Sequence, residues 1–261
     1  MKNLLSALGL VLVGFNVNAQ KVAATVGAKM QVMVAIKSTT TVTQMGQDME
    51  IPSTSEMTDS FEVKSASDKE MALKSVAKRI KVSVTLMGNE QNLDSDDPAS
   101  ANNPQMAEVF KDINKPKDIT VELGKATFPV DASSGVPAAN DIASILYTPF
   151  SATAKEGANL TDSATNADGS KIVNVYTLQK VTPQEITVMV TSKGKIIGTK
   201  QQMGMDVKLN MESSSTATRV YSATNGLLIS EAKSFSASGN NEMMGQTIPV
   251  SSKGSSTITV K

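Results

Sequence analysis

Three Ser-x-x-Lys segments have the spacing in this sequence that comes nearest to a catalytic motif. They lie at Ser75–Lys78, Ser192–Lys195 and Ser230–Lys233. The same spacing joins nucleophile and base in penicillin-binding enzymes, where a helix places positions i and i+3 on one face. Here the residues around Ser75 and Ser230 alternate as strands do, and the segment from Ser192 contains a Lys-Gly pair typical of a turn. We therefore predict no catalytic role for these serines and lysines.

Other common catalytic and metal-binding arrangements lack their residues. The chain has no His and no Cys, which excludes Ser-His-Asp and Cys-His sites, disulfides and thiolate ligands. Asp94, Asp96 and Asp97 could bind Ca²⁺ weakly, but the EF-hand spacing with its Gly is absent, so a solvated turn is the favoured interpretation. Phosphate-binding and dinucleotide-binding glycine motifs are also absent. The sequence predicts no catalytic, cofactor-binding or metal-binding residue, no cofactor and no enzymatic activity.

The dipeptide Met-Gly occurs four times, at Met45, Met87, Met203 and Met244, where random order predicts about one occurrence. The stretch TVTQMGQDMEI at residues 41–51 returns as TKQQMGMDVKL at residues 199–209. One interpretation is a Met-rich binding rim or a thioether metal site. The other is a hairpin turn in which Gly supplies a positive φ. The turn is favoured, because the first copy aligns apolar residues across a hairpin.

Residues 29–87 alternate with period two and predict a three-stranded antiparallel meander. With Gly46-Gln47 at the centre of the first turn, the facing pairs are Val42–Ile51, Ile36–Met57, Val32–Phe61 and Met30–Val63. With Asp68-Lys69 at the centre of the second turn, they are Phe61–Val76, Met57–Ile80 and Ile51–Leu86. The second Met-Gly copy, centred on Gly204-Met205, gives no such alignment, so a sequence duplication is not established.

The rest of the chain predicts short helices and more strands. A helix is expected after Asn103, because Met106, Val109, Phe110 and Ile113 recur at helical spacing. Two strands at 118–123 and 125–131 follow, and then a second helix where Ile142, Ile145 and Leu146 cluster. Residues 151–170 are small and polar, which indicates a linker or mobile loop. From Lys171 onward alternation resumes, and this region is expected to be antiparallel β-structure.

The N-terminus has the order of a secretory signal peptide, with Lys2, an apolar run from Leu4 to Val13 and a small residue, Ala19, at the expected cleavage site. Its removal takes away one Lys and leaves 24 basic and 25 acidic residues, a balance that favours no nucleic-acid partner. No later apolar stretch is long enough to span a membrane as a helix. We expect an exported, periplasmic or cell-envelope protein without a lipid anchor.

The exported start, the hairpin TQMGQDMEI, the following FEVKSASDKEMALK and the acidic DSDDP before a helix resemble an uncharacterised family of exported, β-rich bacterial proteins. That family is known only as a domain of unknown function. The resemblance implies a periplasmic or cell-envelope location in a Gram-negative bacterium, and it carries over no catalytic residue. The architecture is also similar to the half-barrels that carry lipoproteins or lipids, which is an analogy of fold alone.

These observations predict an all-β protein with one or two short helices, built as an antiparallel curled sheet or open half-barrel. The expected organisation is a signal peptide at 1–19, a β-meander plus helix at 20–150, a linker at 151–170 and a C-terminal β region at 171–261, or one continuous domain over 20–261. The expected function is non-catalytic binding of a lipid or other apolar or amphiphilic ligand in the envelope. The alternative is a structural module that docks another envelope protein.

Overall fold

Long alternating segments form the β-strands of this protein. The computed structural model describes residues 24–44, 46–67, 70–101, 110–122, 137–151, 153–166, 168–202, 205–243 and 245–261. The strands are β1 (Lys29–Gln44), β2 (Gln47–Ala66), β3 (Glu70–Leu86), β4 (Asn89–Asp94), β5 (Pro116–Glu122), β6 (Asn159–Thr165), β7 (Lys171–Val181), β8 (Glu185–Gln202), β9 (Met205–Ser222), β10 (Leu228–Met243) and β11 (Gln246–Val260). The helices are α1 (Pro98–Ala101) and α2 (Ala139–Ile145).

All described strands join one antiparallel sheet in the order β4-β3-β2-β1-β11-β10-β9-β8-β7-β6. Strand β5 pairs with the first part of β3, on the same edge that β4 occupies farther along. The N-terminal and C-terminal strands share this sheet because β1 pairs with β11, from Val32 opposite Val260 to Val42 opposite Val250. The path is open, with β4 and β6 at its two ends. The prediction of an all-β protein with an open antiparallel sheet is confirmed.

One face of the sheet, which we call the core face, carries the buried apolar residues. Val32 and Val34 of β1, Phe61 of β2, and Val188 of β8 are at most 3% exposed, and their strand neighbours point to the opposite, outer face, as period two requires. The buried cluster occupies the end of the sheet where β1 begins, which we call the core end. Complete burial of such side chains stabilises the fold by about 1.5–3 kcal/mol each.

A strap formed by residues 137–151 crosses the core face. Its helix α2 contacts β5 and β3, and beyond the helix the Leu228 amide donates a hydrogen bond to the Leu146 carbonyl at 2.8 Å. The next residue, Tyr147, bridges to Leu227 before β10. The strap therefore contacts strands that are far apart in the sheet order, because the sheet curves around it. The predicted helix around Ile142 and Leu146 is thereby confirmed, and these two side chains fill the core.

The other half of the sheet, from mid-strand to the hairpin turns, is what we call the turn end, and two-residue connections join four hairpins at its tip. The flanking pairs are Gln44–Gln47, Leu86–Asn89, Gln202–Met205 and Met243–Gln246. Each leaves one Met-Gly dipeptide between the strands. Met87 and Gly88 have φ of 50° and 80°, and positive φ at both central residues is the mark of a type I′ turn, which suits the strand twist. The interpretation of Met-Gly as turn chemistry is confirmed for this hairpin.

The predicted register of the first hairpin is wrong by two residues. Met30 lies opposite Phe61, and Val42 lies opposite Met49, so the turn is centred one residue earlier than Gly46-Gln47. Gly46 is the second turn residue, with φ of 78°. The predicted and observed registers place the same residues on the core face, because a two-residue slip preserves side-chain parity.

Two irregularities in the β2–β3 ladder change the second predicted register. Met57 lies opposite Ile80 as predicted, but shifts after Thr58 and after Val63 place Phe61 opposite Ser75 instead of Val76. Ladder pairing ends at Ser53–Val84, before Ile51 and Leu86. The extra residue of a bulge moves the inward positions of β3 from odd numbers, such as Leu73, to even numbers, such as Ile80.

Other predictions for the later chain are partly corrected. Residues 151–170, expected as a linker or mobile loop, contain β6, which pairs with β7 along its length. The strand at 118–123 is confirmed as β5. The signal peptide, the second strand at 125–131 and most of the helix expected after Asn103 lie outside the described residues. Among the residues described, no helix has the length and apolar character needed to cross a membrane.

Candidate functional site

A row of polar side chains crosses the outer face at mid-strand, where the turn end of the sheet begins. Lys193 on β8 lies opposite Ser214 on β9, Ser214 lies opposite Ser236 on β10, and Ser236 lies opposite Lys253 on β11. All four side chains are exposed. Two lysines thus lie three strand spacings apart, roughly 14 Å, with two hydroxyls between them.

Two adjoining cavities lie along this row and form what we call the lysine trough. One cavity, of about 660 Å³, extends over β4, β3, β2, β1 and β11. The other, of about 760 Å³, extends over β1, β11, β10, β9, β8 and β7. They share Thr39 and Lys253. Both are open depressions of the outer face rather than enclosed cavities.

The lysine trough is rich in positive charge although the whole chain is formally neutral. Six of its charged lining residues are lysines and three are glutamates. The lysines are Lys37, Lys81, Lys171, Lys193, Lys195 and Lys253. Across the part of the chain that the structure describes, none of these six forms an ion pair within 4.0 Å.

Five of the six lysines form two clusters, and the sixth, Lys81, lies opposite Glu56. The first lysine cluster is Lys37 and Lys253, which are diagonal neighbours because Lys37 lies opposite Ser255. The second lysine cluster is Lys171, Lys193 and Lys195. Lys171 lies directly opposite Lys195, and like charges in that position destabilise a sheet. Glu212 on the other side of Lys195 offsets part of this repulsion.

Hydroxyl groups line the trough between the two clusters. Ser214 and Ser236 are hydrogen-bonded to each other, with 3.0 Å between their Oγ atoms, and Ser238 and Ser251 line the same cavity. None of the lining residues is aromatic. The described lining residues can therefore bind a ligand through ion pairs and hydrogen bonds, and not through stacking on an aromatic ring.

Three glycines on the core face allow close backbone packing beneath the trough. A Cβ at Gly254 would lie 2.3 Å from the Lys37 carbonyl oxygen, and a Cβ at Gly239 would lie 2.1 Å from the Asn210 carbonyl oxygen. At Gly194 it would lie 2.7 Å from the Ser213 Oγ. Glycine within a strand commonly marks such an approach of neighbouring backbone.

The Ser-x-x-Lys segments do not form catalytic pairs. Ser192 and Lys195 both lie inside β8, so the predicted turn at Lys193-Gly194 is wrong, and their side chains point to opposite faces. Ser230 and Lys233 are likewise on opposite faces of β10. Ser75 is buried on the core face, and the exposed Lys78 is the extra residue of the β3 bulge. Lys195 belongs instead to the lysine trough.

The three acidic residues after β4 have structural contacts. Asp94 accepts a hydrogen bond from the Arg79 Nε at 3.1 Å, and Asp96 forms an ion pair with the same nitrogen at 3.2 Å. Asp97 accepts hydrogen bonds from the Ala99 amide and the Ser100 hydroxyl, each at 3.0 Å, at the start of α1. These contacts support the solvated turn over the calcium site.

Two acidic groups are buried at the core end. Asp59 on β2 is 2% exposed, and its Oδ1 accepts no hydrogen bond from the described residues. Burial raises the pKa of Asp59 to about 6, although the positive charge of Lys117 opposes the shift. Glu231 is paired with Arg219 at 2.6 Å across β9 and β10. Both acids lie at the core end of the sheet, on the core face, and not in the lysine trough.

The sequence does contain a signal for the trough that alternation of apolar residues does not reveal. The tripeptide Ser-Lys-Gly occurs at 192–194 and again at 252–254. In each copy Lys points to the outer face and Gly lies on the core face, and the register aligns the two lysines in one row. Gly in an alternating segment can indicate close backbone approach in place of a turn.

Comparisons with known proteins assign no family. No protein-family model matches the chain, and no curated protein matches it. Among solved structures, the chain is similar to an outer membrane channel from Pseudomonas putida F1, with 9% identity, coverage of 91% of this chain and 97% of that chain, and a TM-score of 0.29.

Two further structures have still lower scores. Ail, the attachment invasion locus protein of Yersinia pestis, has 6% identity, coverage of 91% and 100%, and a TM-score of 0.17. OpdK of Pseudomonas aeruginosa, solved with vanillate, has 5% identity, coverage of 89% and 99%, and a TM-score of 0.20. At such scores these likenesses support no inference about the function of this chain.

Proposed function

We propose that this protein is an exported, non-catalytic binding protein of the cell envelope, and that the lysine trough binds its ligand. The observation that carries this proposal is a set of six lysines, none of which forms an ion pair with another described residue, with hydroxyls between them along two adjoining cavities. An anion bound there gains charge-assisted hydrogen bonds, which are about twice as strong as neutral ones. It also relieves the repulsion between Lys171 and Lys195.

The class of ligand that fits the trough is anionic. The sequence favours an apolar or amphiphilic ligand, but the apolar part of the core face is covered by the strap, through Leu146, Tyr147 and Phe150. An amphiphile with an anionic head group remains compatible with the trough, because lysines recognise the head group whatever it is attached to. A purely apolar ligand has no described cavity of matching character.

A polyanion matched to a neutral polymer tests this function directly. Dextran sulfate and dextran share one backbone, and the mature protein is expected to bind the first and not the second in a fluorescence titration. The double variant Lys193→Gln/Lys195→Gln should weaken the binding of dextran sulfate about tenfold or more, because each Lys attracts the sulfate groups mainly through its charge.

The matched control changes the same net charge away from the trough. Lys155 and Lys180 are exposed and do not line either cavity, so Lys155→Gln/Lys180→Gln should bind dextran sulfate as the unchanged protein does. Equal weakening in both variants would mean that the polymer responds to overall charge, and the trough would lose its assigned role.

Two simpler measurements address the rest of the proposal. Cell fractionation with N-terminal sequencing should find the mature chain outside the cytoplasm and starting at Gln20; a cytoplasmic chain that retains Met1 contradicts export. Uptake of a fluorescent fatty acid, competed by anionic lipid vesicles, should depend on Lys193 and Lys195 if the ligand is an amphiphile. Uptake that is unchanged when Lys193 and Lys195 are replaced would favour a purely apolar ligand over an anionic one.

A protein-interaction role is the second candidate, because among the described strands β6 pairs on one side only, with β7. A free strand edge presents backbone donors and acceptors to another chain. Replacing Ser163 with Pro should abolish capture of an envelope partner through this edge while leaving dextran sulfate binding intact. Loss of both activities would point to misfolding, which circular dichroism detects.

A further inference from the structure

The spacing of the two lysine clusters carries a more specific conclusion, which rests on the proposed function. We propose that the trough binds an extended acidic polysaccharide that lies across the strands and contacts both clusters at once. The lysines at the two ends of the row, Lys193 and Lys253, are in register across β8, β9, β10 and β11. Their separation of roughly 14 Å is too large for one small anion to reach both.

The surface between the clusters fits a chain that carries hydroxyls. Ser214 and Ser236 occupy the middle of the row, and Ser238 and Ser251 lie beside it. Serine hydroxyls both donate and accept hydrogen bonds, which matches the donor and acceptor hydroxyls of a sugar. A ligand that carries only negative groups, such as polyphosphate, would accept hydrogen bonds from the lysines and serines. It has no donor group, so the serine oxygens would accept no hydrogen bond from it.

The lack of an aromatic ring among the described lining residues argues against a nucleic acid in this trough. Proteins that bind single-stranded nucleic acid combine a basic groove with aromatic rings on which the bases stack, whereas charge-assisted hydrogen bonds can hold a charged polysaccharide without stacking. An anionic membrane would also engage exposed lysines, and the experiment below compares it directly. Carboxylates repeated along a flexible sugar chain suit both the charge and the shape.

Binding at two clusters predicts a strong dependence on ligand length. A short acidic oligosaccharide contacts one cluster, whereas a longer one engages the second cluster intramolecularly, so its affinity gains from effective concentration by about 10²-fold or more. The probe is oligogalacturonate of graded chain length, measured by isothermal titration calorimetry. Affinity should rise in one step when the chain becomes long enough to span the row, and then level off.

Cluster variants separate this proposal from simple polyanion binding. Lys37→Gln/Lys253→Gln removes the first cluster and should abolish the step, while short chains bind the second cluster with unchanged affinity. Lys193→Gln/Lys195→Gln should remove the step and weaken short-chain binding as well. The control Lys155→Gln/Lys180→Gln should preserve the whole length profile.

Three outcomes overturn the inference. A smooth increase of affinity with length, identical in all variants, means binding without two fixed clusters. Tighter binding of phosphatidylglycerol vesicles or of single-stranded DNA than of long oligogalacturonate means that the ligand is a membrane or a nucleic acid. If dextran sulfate binds through the trough but oligogalacturonate of every length does not, the proposed function stands and the polysaccharide assignment fails.

Discussion

At the core end of the sheet the strands carry Met, Val, Ile and Phe on the core face, whereas at mid-strand, where the turn end begins, the same strands carry Ser, Thr and Gly. Strand β1 shows the change within its own length, from Met30 and Val32 to Ser38 and Thr40. Backbone pairing continues through both regions. The core end is therefore held together by burial of large side chains, whereas the start of the turn end relies on ladder hydrogen bonds.

One continuous sheet thus places its buried apolar cluster and its lysine trough in different regions. The strap covers the core face at one end, where the buried cluster lies. The lysine trough lies on the outer face at the other end, where substitutions of exposed residues change few packed contacts. Mutations should therefore have large effects on stability at the core end and smaller ones at the turn end, unless they change the backbone.

Two phenylalanines provide the largest test of this comparison. Phe61 is 1% exposed at the core end, and Phe235 is half-buried over Gly254 at the turn end. Phe61→Ala should lower the free energy of unfolding by about 3–5 kcal/mol, and Phe235→Ala by about half as much or less. Urea denaturation of both variants measures the difference. Equal losses would show that the two ends are equally packed.

A glycine on the core face tests the turn end where its backbone is most constrained. The Cβ of Gly254→Ala would lie 2.3 Å from a carbonyl oxygen that cannot move without disturbing β1, so we expect a loss of about 2 kcal/mol. Gly198→Ala is the control, because its Cβ would meet the Asp168 Oδ2 at an ordinary 3.6 Å. A Gly254 variant as stable as the control would refute the close approach of these strands.

The buried carboxyl of Asp59 gives the core end a pH dependence. Its folded-state pKa of about 6 is above the ordinary 3.8, so the folded state binds the proton more tightly than the unfolded state. Its stabilising contribution is present below about pH 4 and is lost as pH rises through about 6. Asp59→Asn should thus raise the free energy of unfolding by about 1–2 kcal/mol at pH 7.5 and change little at pH 4. An equal effect at both pH values would contradict the shifted pKa.

The Met-Gly turns should give the smallest effects. Gly46 has φ of 78° with no atom within 4 Å of an added Cβ, so Gly46→Ala costs backbone strain alone, about 1 kcal/mol, and Gly46→Val about 1 kcal/mol or more. Met87 already occupies positive φ, and Met87→Asn should gain about 0.5 kcal/mol, because Asn tolerates this conformation. Melting temperatures that do not separate the Gly46 variants from the unchanged protein would argue against the turn.

The sequence predicts the strands and their inward faces because alternation depends only on which residues are apolar. It does not fix the exact register of β1 and β2, since shifting the turn by one position moves every pair by two residues and keeps apolar residues facing one another. The bulges of β3 are also invisible to it, because Lys78 and its neighbours satisfy either parity as exposed residues. A positive φ at Gly46 fits either turn, so the register is shown only by the ladder itself, in which Gln44 lies opposite Gln47.

The trough is less predictable than the fold. Its lysines and serines are polar, so they carry no apolar period. The registers of the consecutive strands β7 to β11 align most of them, and the pairing of β1 with β11 adds Lys37. The Ser-Lys-Gly pair at 192–194 and 252–254 looks like turn chemistry until the strands around it are known. What sequence can supply is the absence of His and Cys chemistry, which directs attention to binding surfaces.

The pairing of β1 with β11 also determines when this protein can become native. Val32 lies beside Val260, so β1 and β11 are far apart in sequence but adjacent in the sheet. Folding must close this distant contact, which carries a high loop entropy and slows the reaction. Until β11 joins β1, both strands present unpaired edges, and such edges favour aggregation during folding.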